Sequence, residues 1–333
     1  MIGSGSWGTA LAIHAARRGH PVRLWARTPE RAQQMQQERV NARYLKDAPF
    51  PDGLAVTSEL GEALDAADLV IMAVPSHGLR AVTKRVADTL KSLPATRPSF
   101  LIAAKGVEVD SLKTMAAVLA EELEPVHHAK IAALGGPSFA AEVAGGQPTV
   151  VVVACKQIDV AEEIQIWLSG NGVRVYVTDD VTGVELGGAF KNVIALAAGV
   201  CDGAGLGQNA RAALITRGLA EISRLSVTLG ALPTTLAGLA GLGDLVLTCT
   251  GGLSRNRRVG LALGQGQTLE QILEEMGMVA EGVKNTLSAQ RLAAREGIEM
   301  PIANMMHALL YGGASVKFAV ASLMGRDLKS ERE

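Results

Sequence analysis

The chain has 333 residues, a formal net charge of −1 and 48% hydrophobic residues, with aromatics at only 3%. Near-neutral charge excludes a general nucleic-acid-binding or polybasic membrane surface, so any anion site has to be local. The composition also excludes a disordered chain, and the length suits roughly two domains.

The chain opens MIGSGSWGTALAIHAARRGH, in which Gly3, Gly5 and Gly8 spell Gly-x-Gly-x-x-Gly. Between a strand and a helix, the first glycine allows the tight turn and the second lets the main chain approach a pyrophosphate. The third lets the helix pack closely, and the helix N-terminus attracts the anion. Thr9 to Arg18, rich in Ala and Leu, reads as that helix, closed by Gly19. A strand of about 5–6 residues is expected before Gly3, in the middle of the sheet. Met1 and Ile2 supply only its last stub, and the expectation is a chain that starts late.

Pro21 to Trp25 reads as the next strand, with a polar helix from about Pro29. Apolar strand-length runs follow at 69–74, 100–104, 131–134, 149–154 and 173–177, with helices at 78–90 and 111–123 between them. This rhythm predicts an α/β fold: a Rossmann-like, doubly wound, mostly parallel sheet. From about Asp179 strand-like runs become rare, and 181–229, 270–275, 281–295 and 304–310 read as helical. The expected division is therefore a dinucleotide-binding domain, 1–178, followed by an all-helical substrate and catalytic domain, 179–333. The final GRDLKSERE reads as a frayed end. No run reaches the ~18 consecutive apolar residues of a membrane span, and the start lacks a signal-peptide pattern. Cys155, Cys201 and Cys249 form no Cys-x-x-Cys pair and read as reduced thiols of a cytoplasmic protein.

Five stretches carry candidate chemistry. An NAD-selective fold places Asp or Glu near the end of the second strand; here Arg27 stands in LWARTPER, with Arg31 one turn on. Arginine there suits the 2′-phosphate of NADP, with NAD left open and a solvated arginine pair as the alternative. Lys191 is the only charge between Leu186 and Cys201, on one helical face with Gly187 and Gly188, where a ligand could come close to the backbone. It is either snorkelling or desolvated for proton transfer. Lys105 and Gly106, in FLIAAKGVE, follow a strand at the edge where open sheets bind ligands; an ordinary loop lysine is the alternative. In GLGDLVLTCTGGLSRNRRVG, Asp244 sits in a glycine-rich turn and Ser254 is placed to cap a helix beginning at Arg255. A helix N-terminus plus arginine suits a phosphate, against a merely solvated basic face. In LGGPSFAAEV, Gly135, Gly136 and Pro137 form a turn and Ser138 is placed to cap the next helix.

Taken together, GSGSWGTALA, AAKGVE, GGPSFAAEV, GAFKNVIALAAG, GLGDLVLTCTG, SRNRRVG and VAEGV resemble the bacterial-type NAD(P)-dependent glycerol-3-phosphate dehydrogenases, in the family's order and over nearly the whole chain. The resemblance implies reduction of dihydroxyacetone phosphate to sn-glycerol 3-phosphate, the start of the glycerophospholipid backbone, by a cytoplasmic and commonly dimeric enzyme. It implies dinucleotide contacts from the glycine turn with Ser6 and Trp7, and from Arg27, Lys105, Ala140, Arg255, Val279 and Glu281. It implies a substrate site of Lys105, Gly136, Ser138, Asp244, Ser254, Arg255 and Asn256, with Lys191 as proton donor and acceptor and no metal. Two rivals remain from the residues alone. A hydroxyacid or ketopantoate-type reductase would not need the anchor at Ser254 to Asn256. A catalytically silent NADP-binding sensor would not need Lys191, Asp244 and that anchor together.

Overall fold

A computed structural model describes residues 1–93, 96–276, 280–328 and 330–331. The first half is built as α1 (Ser6–Arg17), β1 (Val22–Trp25), α2 (Pro29–Glu38), β2 (Val40–Asn41), β3 (Leu45–Pro49), β4 (Leu54–Thr57), α3 (Leu60–Leu64), β5 (Leu69–Met72) and α4 (Ser76–Leu90). It continues with β6 (Ser99–Ile102), α5 (Met115–Glu122), β7 (Ile131–Gly135), α6 (Ala140–Ala144), β8 (Thr149–Cys155), α7 (Ile158–Leu168) and β9 (Val173–Thr178).

The strands pair in the order β5-β6-β7-β8-β9, and β1 pairs with β4 alongside. Ile2 joins the two groups, bridging Trp25 on one side and Met72 on the other, both in parallel. Its amide donates to the Ile71 carbonyl at 2.9 Å and its carbonyl accepts from Ala73 at 2.8 Å, so the two residues before Gly3 hold the central slot. All pairings within this sheet are parallel except β7 with β8, which is antiparallel. The doubly wound, mostly parallel reading therefore holds, with one reversal. Apolar clusters cover both faces: one around Ile13, Leu24, Leu101 and Val153, the other around Trp25, Met72, Phe100 and Leu119.

The second half is helical: α8 (Val181–Gly203), α9 (Gly207–Thr228), α10 (Pro233–Ala237), a π-helical turn (Leu239–Gly243), α11 (Asp244–Thr250), α12 (Arg255–Gly264), α13 (Leu269–Met276), α14 (Glu281–Glu296), α15 (Pro301–Tyr311) and α16 (Val316–Met324). α8 is long and apolar enough to cross a membrane by length and composition, yet its apolar window is wholly buried inside the fold. It is the core helix, and Asp180 starts it by accepting the Gly183 amide at 2.8 Å. α12 runs parallel to it. The Asn256 amide meets Asn192, while Cβ atoms at Gly260 and Gly264 would run into the carbonyls of Leu196 and Val200. The two backbones therefore touch in a steady four-residue register. The three cysteines are buried and free.

Candidate active site

Parallel strands present one edge where their carboxyl ends gather, the usual ligand edge of an open sheet. Gly3 lies there after Ile2, Val74 after β5, Lys105 after β6 and Gly136 after β7. Gly3 turns with φ +114°, and a Cβ on it would lie 2.7 Å from the Ala73 carbonyl oxygen. A Cβ on Gly8 would run into the Gly3 carbonyl, so α1 rests directly on its own turn. A Cβ on Gly5, by contrast, would meet nothing within 4 Å. No side chain caps α1, so its first-turn amides are open to an anion. An open cradle on an uncapped helix is what a dinucleotide pyrophosphate requires, and the residues fit that group.

Trp7 packs its ring inward among Leu134, Val143 and Val151, which leaves its main chain at the turn. Asn41 braces the turn by donating to the Ser4 carbonyl at 2.9 Å and to Thr9 Oγ1 at 2.7 Å. Arg31 is engaged with Asn41 at 3.1 Å and lies over Tyr44, whereas Arg27 is exposed beyond the end of β1.

The second group is a buried bridge of charges. Lys191, 6% exposed on α8, donates its ammonium to Asp244 Oδ1 and, at 2.8 Å, to Thr248 Oγ1. Lys105 donates to the other oxygen, Asp244 Oδ2, at 2.8 Å and to the Gly136 carbonyl at 3.2 Å. Asp244 is 1% exposed. Burial lowers the Lys191 pKa to about 8, against the opposing pull of Asp244. Burial by itself would raise the Asp244 carboxyl, but the two ammonium groups outweigh it and hold it below its usual value. Lys191 therefore keeps its proton at neutral pH while being far readier than a solvated lysine to release it.

The third group opens α12. Ser254 caps the helix as expected, its Oγ accepting the Arg257 amide at 3.2 Å. Arg255 is the first helical residue and is exposed. Asn256 is buried; it donates to Asn192 Oδ1 at 2.8 Å and accepts from the Gly282 amide at 3.0 Å. Arg257 forks onto Asp202 at 2.9 and 2.6 Å. Glu281 accepts from the Ser76 amide at 3.1 Å and the Ser76 hydroxyl at 2.5 Å, placing a carboxylate at the positive end of α4. Ala140 is half-buried at the start of α6. Val279 lies outside the described residues.

Three local expectations are corrected. Ser138 does not cap α6: the helix begins later, at Ala140 with Phe139 in the cap position, and the Ser138 hydroxyl turns back to the Gly136 carbonyl at 3.0 Å. Asp244 is not in a turn but is the first residue of α11, continuous with the π-helical stretch before it. Its glycines serve packing, since a Cβ on Gly241 would collide with the Leu236 main chain. Gly187 and Gly188 do not open a ligand face. Gly187 abuts the Ala240 carbonyl, which would be 2.9 Å from a Cβ, and Gly188 lies against the Lys105 stem.

Sequence reasoning missed Thr248, Asn192, Ser76, Asn41 and Asn285. Two had a signal: Thr248 follows Asp244 by one helical turn, and Asn192 adjoins Lys191. The others gain their roles only through contacts remote in sequence. Among the described residues, no group of three His, Cys, Asp or Glu could hold a metal ion.

Residues 1–161 match the family model of the NAD-dependent glycerol-3-phosphate dehydrogenase N-terminus, and residues 180–321 match that of its C-terminus. An NAD(P)+ glycerol-3-phosphate dehydrogenase of Geobacter sp. (strain M21) is 51% identical over 99% of this chain and 98% of its own. The crystal structure of a glycerol-3-phosphate dehydrogenase from Coxiella burnetii aligns with a TM-score of 0.89 at 41% identity, covering 98% of both chains. A ketopantoate reductase from Ralstonia eutropha JMP134 aligns with a TM-score of 0.59 at 20% identity over 93% of this chain and 96% of its own, which is likeness of fold alone. The chain belongs to the NAD-dependent glycerol-3-phosphate dehydrogenase family.

Proposed function

We propose that the protein catalyses the reversible NAD(P)H-dependent reduction of dihydroxyacetone phosphate to sn-glycerol 3-phosphate, feeding glycerophospholipid synthesis, with Lys191 as the proton donor. The observation that carries the reading is one buried carboxylate, Asp244, shared by two lysines at the ligand edge of the sheet. When bound, the nicotinamide supplies the hydride to the ketone carbon. Charge then grows on the ketone oxygen, and the Lys191 ammonium stabilises it and delivers the proton. Asp244 and Thr248 aim that ammonium, and their hold on it is already formed before substrate arrives. In the reverse direction, neutral Lys191 takes the hydroxyl proton.

The open first turn with Gly3, Gly5, Ser6, Trp7 and Gly8 would take the pyrophosphate. Arg27, exposed beyond β1, supports a preference for NADP by offering a cation to its 2′-phosphate. Ala140, Glu281 and Val279 would complete the dinucleotide site. Lys105, Gly136 and Ser138 would hold the substrate's polar groups. Of the anchor Ser254, Arg255 and Asn256, Arg255 brings the formal positive charge to set against the phosphate, beside the Ser254 hydroxyl and the Asn256 amide.

Lys191→Ala is expected to lower kcat by about 10²–10⁴-fold, with NADPH affinity nearly unchanged. Oxidation of NADPH followed by absorbance, with dihydroxyacetone phosphate and in parallel with ketopantoate, tests this. Near-normal turnover of the variant, or preference for ketopantoate, removes the assignment. The reading extends to a division into units 1–178 and 179–333, supported by the last strand ending at Thr178 and the core helix starting at Val181. It extends also to a cytoplasmic homodimer, supported for compartment by three free thiols and for assembly by the family resemblance. Limited proteolysis, cell fractionation and sedimentation equilibrium would each refute its own part.

A further inference from the structure

α14 runs past the segment that carries Lys105, and its polar side chains take that segment's carbonyls one after another. Asn285 Nδ2 donates to the Lys105 carbonyl at 3.2 Å, Ser288 Oγ to that of Val107 at 2.9 Å, and the Arg291 guanidinium to that of Val109 at 3.2 Å. Steps of three keep neighbours near one face of a helix, and alternate groups of an extended chain point the same way. The pattern is therefore a helix laid along the irregular segment that follows β6. Contact is tight: a Cβ on Gly106 would lie 2.5 Å from the Ser76 side chain and 3.1 Å from Asn285 Oδ1.

Asn285 does more than join this row. The same Nδ2 donates to the Ala189 carbonyl at 3.0 Å, on α8 two residues before Lys191. Both hydrogens of one fully buried amide are thus spent on the two elements that carry the two active-site lysines. Its Oδ1 is buried with no partner. A flipped amide would face an oxygen to two carbonyls, so the donor orientation is enforced even at the cost of that unpaired oxygen.

We propose that Asn285 is a positioning residue: its amide clamps the Lys105 segment to α8 and so sets where Lys105 and Lys191 meet on Asp244. The inference rests on the reading of Lys191 as proton donor. The groups facing Lys191 are Asp244 and the Cys249 thiol on α11 and Lys105 on the segment after β6. Burial pushes the Cys249 thiol up to about 12, so it is neutral. The Lys105 charge opposes that of Lys191. If the clamp is cut and Lys105 withdraws, the Lys191 ammonium is less opposed and holds its proton to higher pH. Reduction needs protonated Lys191, so the alkaline fall of kcat/KM moves to higher pH.

The test uses the full-length enzyme with NADPH and dihydroxyacetone phosphate, assayed across pH. Asn285→Ala and the milder Asn285→Ser are expected to raise KM for the substrate about tenfold and to move the alkaline limb upward. NADPH affinity measured by nucleotide fluorescence should fall less than substrate affinity, since Lys105 is one of several expected dinucleotide contacts. Arg291→Ala, at the exposed end of the row, should leave both readouts unchanged. NADPH-binding stoichiometry reports the folded fraction, and if Asn285→Ala fails to fold, Asn285→Ser carries the test. An unmoved alkaline limb in the folded variants, whether or not kcat falls, overturns the positioning role. If Lys191→Ala is inactive in the same assay, only this inference has failed; if it is active, the reading of the site has failed with it.

Discussion

α1 and α12 both begin at turns marked by their residues as anion sites, yet they are built in opposite ways. α1 has no side-chain cap, and the glycine before it faces open space. α12 is closed by its own serine, which consumes the Arg257 amide. Under the proposed function, the difference amounts to two ways of holding phosphate. One offers main-chain amides, whose positions are fixed by backbone contact, and so needs glycine. The other stabilises the helix internally, and in the proposed function the arginine that follows supplies the charge. The first leaves no room for a side chain at Gly3 or Gly8; the second would separate stability from binding.

Substitutions can break that contrast, starting with the most severe. Gly8→Ala places a Cβ against the Gly3 carbonyl. Overpacking of this kind costs about 1–3 kcal/mol, and here it also shifts the turn, so NADPH binding should be abolished in a fluorescence titration. Arg255→Ala should raise KM for dihydroxyacetone phosphate by about 10–100-fold, the scale of a lost charge-assisted hydrogen bond. A KM near wild type would mean that the anchor lies elsewhere. Arg27→Asp should move the ratio of kcat/KM for NADPH over NADH by roughly tenfold toward NADH. An unaltered ratio would place the 2′-phosphate away from Arg27. Ser254→Ala should cost about 1 kcal/mol as a lost cap, read as a lower melting temperature, and should raise KM less than Arg255→Ala does. If KM instead rises further than in Arg255→Ala, the separation of stability from binding is wrong.

Legibility followed the range of the interactions. The strands β5 to β8 stand out as apolar runs, because strands buried on both faces need no alternation, while β1 and the edge strand β9 show as short runs broken by exposed residues. β2, β3 and β4 escaped notice: VN, LKDAP and LAVT are short, and the second is mixed with charge at an edge. The antiparallel turn of β8 against β7 has no local signature, since only the pairing register reveals it. At the site, Lys191 was visible as a lone charge in an apolar run, and Ser254 as a cap. That Lys105 and Lys191 share one carboxylate was not visible. Asp244 is 139 residues from the first and 53 from the second. Glycine misled twice, at Gly187 and Gly188 and again in GLAGLGD, where it signals close helix packing although the same composition commonly marks a turn.

The seam between α8 and α12 has a consequence for how distances in this molecule are kept. Lys191 and Arg255 stand at the same level of two parallel helices, next to the paired Asn192 and Asn256. Below them the helices are held apart by main-chain atoms, at Gly199, Gly260 and Gly264, rather than by interdigitated side chains. Rotamer hopping cannot change such a spacing, and neither can the exchange of one apolar side chain for another. The seam behaves as a ruler graduated in backbone atoms. The span from Lys191 to Arg255, proposed to handle the substrate's oxygen and its phosphate, is thereby insulated from the ordinary drift of core residues.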